Sequence, residues 1–379
     1  PDKRIEKILE NLCPRAIVAD RESLEHVESI VDELAKSEGF DRPQIFIAED
    51  ISRFDQVAGA DSNCKISESA GDAVTDSEND TDGGVVAGCA GKKDDSSLEK
   101  LTTVRRQMSM TDPLYIIYTS GSTGNPKGVM TSHLSLMTYI NAYCDVMHIE
   151  CDDVLGNQSP LDYIAAIRDI YLPLKTGCST AIIPKEYFME PNVLFDYMND
   201  KKVSSVGWSV SAFTILTSLG AFEEVGLKSL RKICFSGSVM PCRVLRKWQE
   251  NLPEAHFVNQ YGPTEATASC TYYSVDHTVE EDEVLPIGKA YDNYRVFLID
   301  EHGNEPAVGE QGEICVCGPI LALGYYNDPE RTAAAFTLNP LNKAYPERMY
   351  RTGDYGRLDE DGILHFCGRM DRQIKHMGH

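Results

Sequence analysis

Between Tyr118 and Gly128 the chain reads Tyr-Thr-Ser-Gly-Ser-Thr-Gly-Asn-Pro-Lys-Gly, directly after the apolar run Leu114-Tyr115-Ile116-Ile117. Gly121, Gly124 and Gly128 let backbone N–H groups approach an anion. Thr119, Ser120, Ser122 and Thr123 add hydroxyl donors, and Lys127 offsets charge. These residues suit a loop closing around phosphate, with a solvated Gly/Ser/Thr loop as the alternative. The spacing is not that of a Walker A loop, where Ser or Thr follows the lysine. A second segment, Asn259-Gln260-Tyr261-Gly262-Pro263-Thr264-Glu265-Ala266-Thr267, brings a ring, a hydroxyl and a carboxylate close together. The ring suits stacking on a base, the hydroxyl a phosphate, and Glu265 a hard cation such as Mg²⁺. An ordinary strand-to-turn connection would also read this way. In Tyr350-Arg351-Thr352-Gly353-Asp354 the carboxylate would accept from both hydroxyls of a ribose, or would cap a hairpin turn at the surface. The fourth segment is Gly368-Arg369-Met370-Asp371-Arg372-Gln373-Ile374-Lys375.

Helices and strands must hold these segments in place. Alternating helical and strand patterns run from Arg4 to Glu49 and resume from Pro113. They predict strands at Ser179–Pro184, Val203–Trp208 and Lys232–Phe235, with helices at Leu134–Val146, near Ala165, at Val193–Asp200 and from Ala212. Helix-flanked, largely parallel sheets follow for residues 1–290. From Tyr294 the pattern turns to short strands with Gly/Asp turns, a smaller β-rich subdomain over 291–367. Residues 57–100 are rich in Ser, Asp, Gly, Ala and Glu without an aromatic, and read as a disordered acidic insertion.

The 379 residues carry a net charge of −23 and no Lys/Arg-rich run, which argues against nucleic acid or an anionic membrane surface as partner. Twelve cysteines are scattered without a C-x-x-C pair, and Cys315 and Cys317 alternate along a predicted strand as small buried side chains. A reducing cytoplasm fits that usage.

In order and separation, the four segments resemble those of the adenylate-forming superfamily: acyl- and aryl-CoA synthetases, luciferases and the adenylation domains of non-ribosomal peptide synthetases. Gly309-Glu310-Gln311-Gly312-Glu313-Ile314 and Gly324-Tyr325-Tyr326-Asn327-Asp328-Pro329 are similar to two further family segments. The spellings around Lys127 and Glu265 are those of amino-acid activators, and Cys234 to Pro241 is similar to the D-alanine-activating ligase type. The resemblance implies ATP and Mg²⁺. It implies that Thr119, Ser120, Gly121, Ser122, Thr123, Gly124 and Lys127 embrace the phosphates and Tyr261, flanked by Gln260 and Gly262, stacks on adenine. Thr264 would contact the α-phosphate, Glu265 bind Mg²⁺, Asp354 and Arg369 hold the ribose, and Asp371 act as a hinge.

For the substrate, the resemblance places Asp162 in Pro160-Leu161-Asp162-Tyr163-Ile164-Ala165-Ala166 against the α-ammonium of an amino acid, in a half-buried pocket; a helix cap is the alternative. Leu161 and Ile164 depart from the usual Phe and Ser. Tyr163, Ala166, Trp208, Cys234, Ser236, Gln260, Ala268 and Ser269 would line the pocket, and rings at Tyr163 and Trp208 would favour a small amino acid such as alanine. The implied activity is formation of an aminoacyl-adenylate for a carrier-protein phosphopantetheine thiol. An acyl- or aryl-CoA synthetase, or a non-catalytic nucleotide-binding fragment, are the other readings. Pro1 and His379 fall where the family continues, so residues 1–375 would be an incomplete adenylation domain and 368–379 a hinge segment. With its C-terminal subdomain absent, the fragment is expected to adenylate poorly.

Overall fold

The computed structural model describes residues 2–37, 39–48, 95–119 and 125–369, and of 95–99 and 101 the backbone alone. Ser120, Gly121, Ser122, Thr123, Gly124 and Asp371 lie outside the described residues, as does most of the acidic insertion. The chain divides into two units at Met108/Ser109.

In the first unit, α1 (Asp2–Leu12) and α2 (Leu24–Leu34) accompany a parallel pair of strands, β1 (Ala16–Ala19) and β2 (Gln44–Ile47). Leu9, Ile30, Val31 and Leu34 form its small core. Helix α3 (Asp95–Gln107) starts inside the stretch expected to be disordered, a correction for residues 95–100. Leu98, Leu101 and Val104 recur at helical spacing, and Arg105 and Arg106 occupy the last turn, where the helix dipole favours cations.

The second unit opens with the hairpin β3 (Pro113–Thr119) and β4 (Lys127–Ser132), then α4 (His133–Met147). Ser132 caps α4 by accepting from the Ser135 N–H. Next come β5 (Val154–Asn157), α5 (Ile167–Thr176), β6 (Ser179–Ile182), α6 (Pro191–Asp200), β7 (Ser205–Ser209) and α7 (Val210–Ser218). The run continues with β8 (Lys232–Ser236), α8 (Cys242–Asn251), β9 (His256–Tyr261), β10 (Thr271–Ser274) and β11 (Lys289–Ala290). These strands form one seven-stranded sheet, ordered β11-β10-β9-β8-β7-β5-β6. It is parallel from β6 to β9 and antiparallel beyond, as the alternation of strand and helix predicts.

β12 (Arg295–Ile299), β13 (Gln311–Cys317), β14 (Gly324–Tyr325), α9 (Pro329–Ala335), β15 (Phe336–Leu338), β16 (Arg348–Leu358) and β17 (Leu364–Arg369) complete the chain. All but β14 and α9 form a five-stranded antiparallel sheet; β14 pairs instead with β4. Tyr350 to Asp354 are therefore strand, not a hairpin turn. Cys315 and Cys317 are fully buried on β13.

Alternation along the strands decides which side chain meets which layer. On β7 and β8, Trp208 and Phe235 point into the apolar core under α6, α7 and α8. Cys234 belongs to the core on the opposite face, under α4. Among the described residues no helix is long and apolar enough to cross a membrane.

Candidate active site

Thr119 ends β3 and Lys127 begins β4, and the two are cross-strand partners. The ends of the glycine-rich segment are thus held side by side. The Thr119 hydroxyl is buried with no hydrogen-bond partner among the described residues. Lys127 Nζ reaches across to Glu265 Oε1 at 2.5 Å and lies 3.3 Å from the Tyr325 hydroxyl, which itself donates to Glu265 Oε1 at 2.7 Å. Glu265 is only 3% exposed. Burial alone would raise its carboxyl; the Lys127 ammonium and the Tyr325 hydroxyl outweigh that and hold it below the usual carboxylate range.

Glu265 sits on a short 3₁₀ turn, Thr264–Ala266, that follows β9 directly, with Thr264 half-buried beside it. Two left-handed residues, Thr267 (φ 46°) and Ala268 (φ 75°), bring the chain back. For a β-branched residue that conformation stores strain, on the order of 1–3 kcal/mol; the Thr267 hydroxyl is tied to the Ile320 carbonyl at 2.7 Å. The return passes so close that a Cβ on Gly262 would stand 2.5 Å from the Ser269 Cα, so only glycine fits there.

At the other end of the same turn, the Tyr261 hydroxyl donates to Asp354 Oδ2 at 2.6 Å. Burial and the neighbouring Asp354 carboxylate push that phenol well above its ordinary value, so the proton stays on tyrosine. Asp354 on β16 and Arg369 on β17 are cross-strand partners, with Arg369 Nη1 3.3 Å from Asp354 Oδ1. Glu313 on β13 fixes this stretch by accepting from Arg351 Nε at 2.8 Å and from the Gly353 N–H at 3.1 Å. One five-residue turn, Tyr261 to Glu265, therefore joins two polar clusters contributed by β4, β14, β16 and β17. Among the described residues no three His, Cys, Asp or Glu side chains gather as a metal cluster, so a cation here would have Glu265 as its one carboxylate. That fits Mg²⁺, which keeps waters and phosphate oxygens as its other ligands.

A profile of the AMP-binding enzyme family matches residues 1–326. The chain belongs to that family. The D-alanine–D-alanyl carrier protein ligase of Bacillus cytotoxicus is 35% identical over 267 residues, covering 70% of this chain and 52% of the relative; that of Bacillus anthracis is 36% identical over the same span. The chain thus spans about half the length of the curated relatives it matches. Among solved structures, CmiS6 is similar at 32% identity with a TM-score of 0.63, over 70% of this chain and 63% of that one. The non-ribosomal peptide synthetase FmoA3, at 23% identity, shares the fold over 97% of this chain and 33% of its own, with a TM-score of 0.70.

The residues expected to line an AMP-binding enzyme's acid pocket divide in the structure. Cys234, Gln260 and Ser269 come together: Gln260 Oε1 accepts from Cys234 Sγ at 3.0 Å and from the Ser269 hydroxyl at 3.3 Å. Ser236 pairs with Gln260 in the β8–β9 ladder, at the carboxyl ends of the parallel strands, and Ala268 immediately precedes Ser269. Two expectations, for Trp208 and Asp162, are corrected. Trp208 faces the other side of the sheet, fully buried, with its indole N–H on the Gly156 carbonyl at 2.8 Å. Asp162 is exposed in a turn rather than half-buried, and Tyr163 is 38% exposed. Two side chains not singled out as site residues matter here: Tyr325, on the Glu265–Lys127 pair, and Arg168, buried on α5. A charged pair inside the apolar stretch Ile164 to Tyr171 was the available signal for Arg168.

Proposed function

We propose that this chain activates a carboxylic acid with ATP, forming an acyl-adenylate and pyrophosphate, and that the acyl group passes to the phosphopantetheine thiol of a carrier protein. The observation that carries this reading is the Tyr261–Glu265 turn, whose two ends engage Asp354 with Arg369 and Lys127 with Tyr325. The partly exposed ring of Tyr261 suits adenine, and Asp354 with Arg369 suits the ribose hydroxyls. Thr264 lies between them and Glu265, where the α-phosphate would sit. Thr119 and Lys127 bracket the segment of Ser120, Gly121, Ser122, Thr123 and Gly124 that would cradle the β- and γ-phosphates.

A Mg²⁺ on Glu265 would neutralise the departing pyrophosphate. Glu265 would hold the cation, and Lys127 beside it would be available to pair with a phosphate oxygen. The acid's own carboxylate attacks the α-phosphorus and pyrophosphate leaves, so the residues position and stabilise charge without forming a covalent intermediate. In keeping with this, burial raises the nearby thiols of Cys234 and Cys270 away from thiolate. The carrier-protein ligases of Bacillus are the ground for an amino acid as the acid and a carrier as acceptor. A CoA thiol as acceptor is the second reading, favoured by the exposure of Asp162, which removes the carboxylate that spoke for an α-ammonium.

Titration of Mg·ATP into the chain, followed by thermal unfolding, tests the site. At a hundredfold excess over Kd, binding contributes about 2.7 kcal/mol and lifts Tm by several degrees. Glu265→Gln should remove the Mg²⁺ dependence of that shift. No shift with wild-type chain would refute the reading.

A further inference from the structure

Polar side chains gather without partners on the sheet face that carries Cys234 and Gln260. Arg168, 2% exposed, leans from α5 onto Gly207 of β7, where a Cβ would stand 2.4 Å from its Nε and Cζ; glycine leaves room for the guanidinium. Its Cζ lies 5.7 Å from the centre of the Tyr143 ring. Its Nε is 3.6 Å from Asp169 Oδ1, too far for a hydrogen bond. Among the described residues that Nε–H, Gln260 Nε2 and the hydroxyls of Tyr139, Tyr291 and Tyr294 are buried without a well-formed hydrogen bond, and only Tyr139 has polar groups of Ser269 and Arg168 at its oxygen. The Gln260 oxygen is occupied by Cys234 and Ser269, so its amide presents hydrogens.

These groups share one neighbourhood. The Tyr139 phenol is raised to about 12, chiefly by burial, against the Arg168 charge and weak hydrogen bonding from Arg168 and Ser269, with Cys234 also beside it. Tyr291 is raised well above its ordinary value by burial and by Tyr139, Cys234, Tyr143 and Tyr294. Both therefore keep their protons and can donate. Folded proteins pair nearly all buried polar groups, so four unpaired donors beside Tyr139 point to an acceptor supplied from outside. The cluster also adjoins the proposed reaction site: Gln260 precedes Tyr261, and the Cys270 N–H beside Ser269 donates to the Tyr261 carbonyl at 2.8 Å.

Resting on the activation reading above, we propose that this polar cluster is the subsite for the far end of the acid, and that the acid carries a second carboxylate there. Arg168 takes that carboxylate, and Gln260 Nε2 with the tyrosine hydroxyls completes its hydrogen bonds. Asp169 pairs with Arg168 by charge but not by a hydrogen bond, and Asn157 Nδ2 holds its Oδ2 at 2.9 Å, so the guanidinium N–H groups are left for a second acceptor. Burial raises the Asp169 carboxyl to about 6 against the lowering effect of Arg168 and Asn157, so its hold on the guanidinium is weaker than that of an ordinary carboxylate. Arg168 is a specificity-determining residue in this account, not a participant at phosphorus.

The test is ATP–pyrophosphate exchange by the protein, with acids offered in matched pairs, aspartate against asparagine and succinate against butyrate, and alanine as a small neutral control. The dicarboxylate of each pair should be favoured in kcat/KM on the order of 100-fold, as for sites whose buried donors go unpaired with the wrong substrate. Arg168→Met should abolish that preference, and Tyr294→Phe should lower dicarboxylate kcat/KM about tenfold. Tyr294→Phe also keeps the test intact if Arg168→Met does not fold. Neutral acids used as well as dicarboxylates, or a preference surviving Arg168→Met, would overturn the proposal. Exchange with alanine alone would overturn it and leave the activation reading standing. Absence of any Mg·ATP response would bring down both.

Discussion

The two faces of the seven-stranded sheet are built from alternate residues of the same strands, and they end in opposite conditions. Under α6, α7 and α8, Trp208 and Phe235 pack with Phe213 and Trp248, whose ring centres lie 4.8 Å apart. Both indole N–H groups there are satisfied: Trp208 Nε1 on the Gly156 carbonyl, Trp248 Nε1 on the Thr217 hydroxyl at 3.1 Å. On the face under α4, Gly207, Cys234 and Gln260 meet Arg168 and a group of tyrosines, and several donors have no partner among the described residues. A sheet can thus spend one face on cohesion and keep the other polar for a ligand, with register the only device separating them. The closed face should be sensitive to volume and indifferent to substrate; the polar face should show the reverse.

The largest effect is expected on the closed face. Trp208→Ala should cost about 3–5 kcal/mol of stability, read as a lower urea midpoint, because its indole is fully buried among rings. If Trp208 instead walled the acid pocket, the variant would stay stable and accept bulkier acids. That outcome would break the comparison at once.

A smaller effect, with a distinctive pH signature, belongs to Lys127→Met. It leaves the Glu265 carboxylate buried beside Tyr325 without its cation, at a cost of about 2–3 kcal/mol near pH 7. In the wild type the folded-state value of Glu265 lies below its ordinary 4.5, so its contribution is present above that pH and is lost as pH falls through the folded value. Without Lys127, burial should lift Glu265 above 4.5. The folded state then binds the proton first, and the variant should lose stability as pH rises from 5 to 8. Urea midpoints across that range check the reversed sign.

Much of this arrangement was legible in the sequence, because loops and turns carry it in residue type. The Tyr-Gly-Pro-Thr-Glu turn and the Lys127 and Asp354 segments are recognisable letter by letter, and the alternation of strand and helix predicts the parallel sheet. Trp208 shows what was not legible. A shift of one residue along β7 reverses the face, and nothing in its composition distinguishes a pocket wall from a core ring. Asp162 was misplaced for a related reason: the helix expected near Ala165 starts at Ile167, after a separate 3₁₀ turn at Ile164–Ala166, and the aspartate stays in an exposed turn rather than a half-buried pocket. Arg168 was hidden by its neighbours, since a charge in a helical stretch ordinarily reads as a solvent-facing residue.

The smallest expected effect is also the most diagnostic, because its sign carries the comparison. Tyr291→Phe removes one oxygen from a fully enclosed ring that packs 4.9 Å from Tyr272 and 5.7 Å from Tyr294. An unpartnered buried hydroxyl has lost its water without gaining a bond, and replacing it with hydrogen recovers that desolvation cost. The variant should therefore be as stable as wild type or more so, by up to about 1 kcal/mol, with the ring contacts kept. The same change on a satisfied group, such as Thr217→Val beneath Trp248, should go the other way by about 1 kcal/mol, because it strands the indole N–H. Opposite signs from two deletions of a single hydroxyl, on opposite faces of one sheet, would establish that only one face holds polar groups in reserve. A loss on both faces would mean that Tyr291 is already paired, and the face under α4 would then be core like the other.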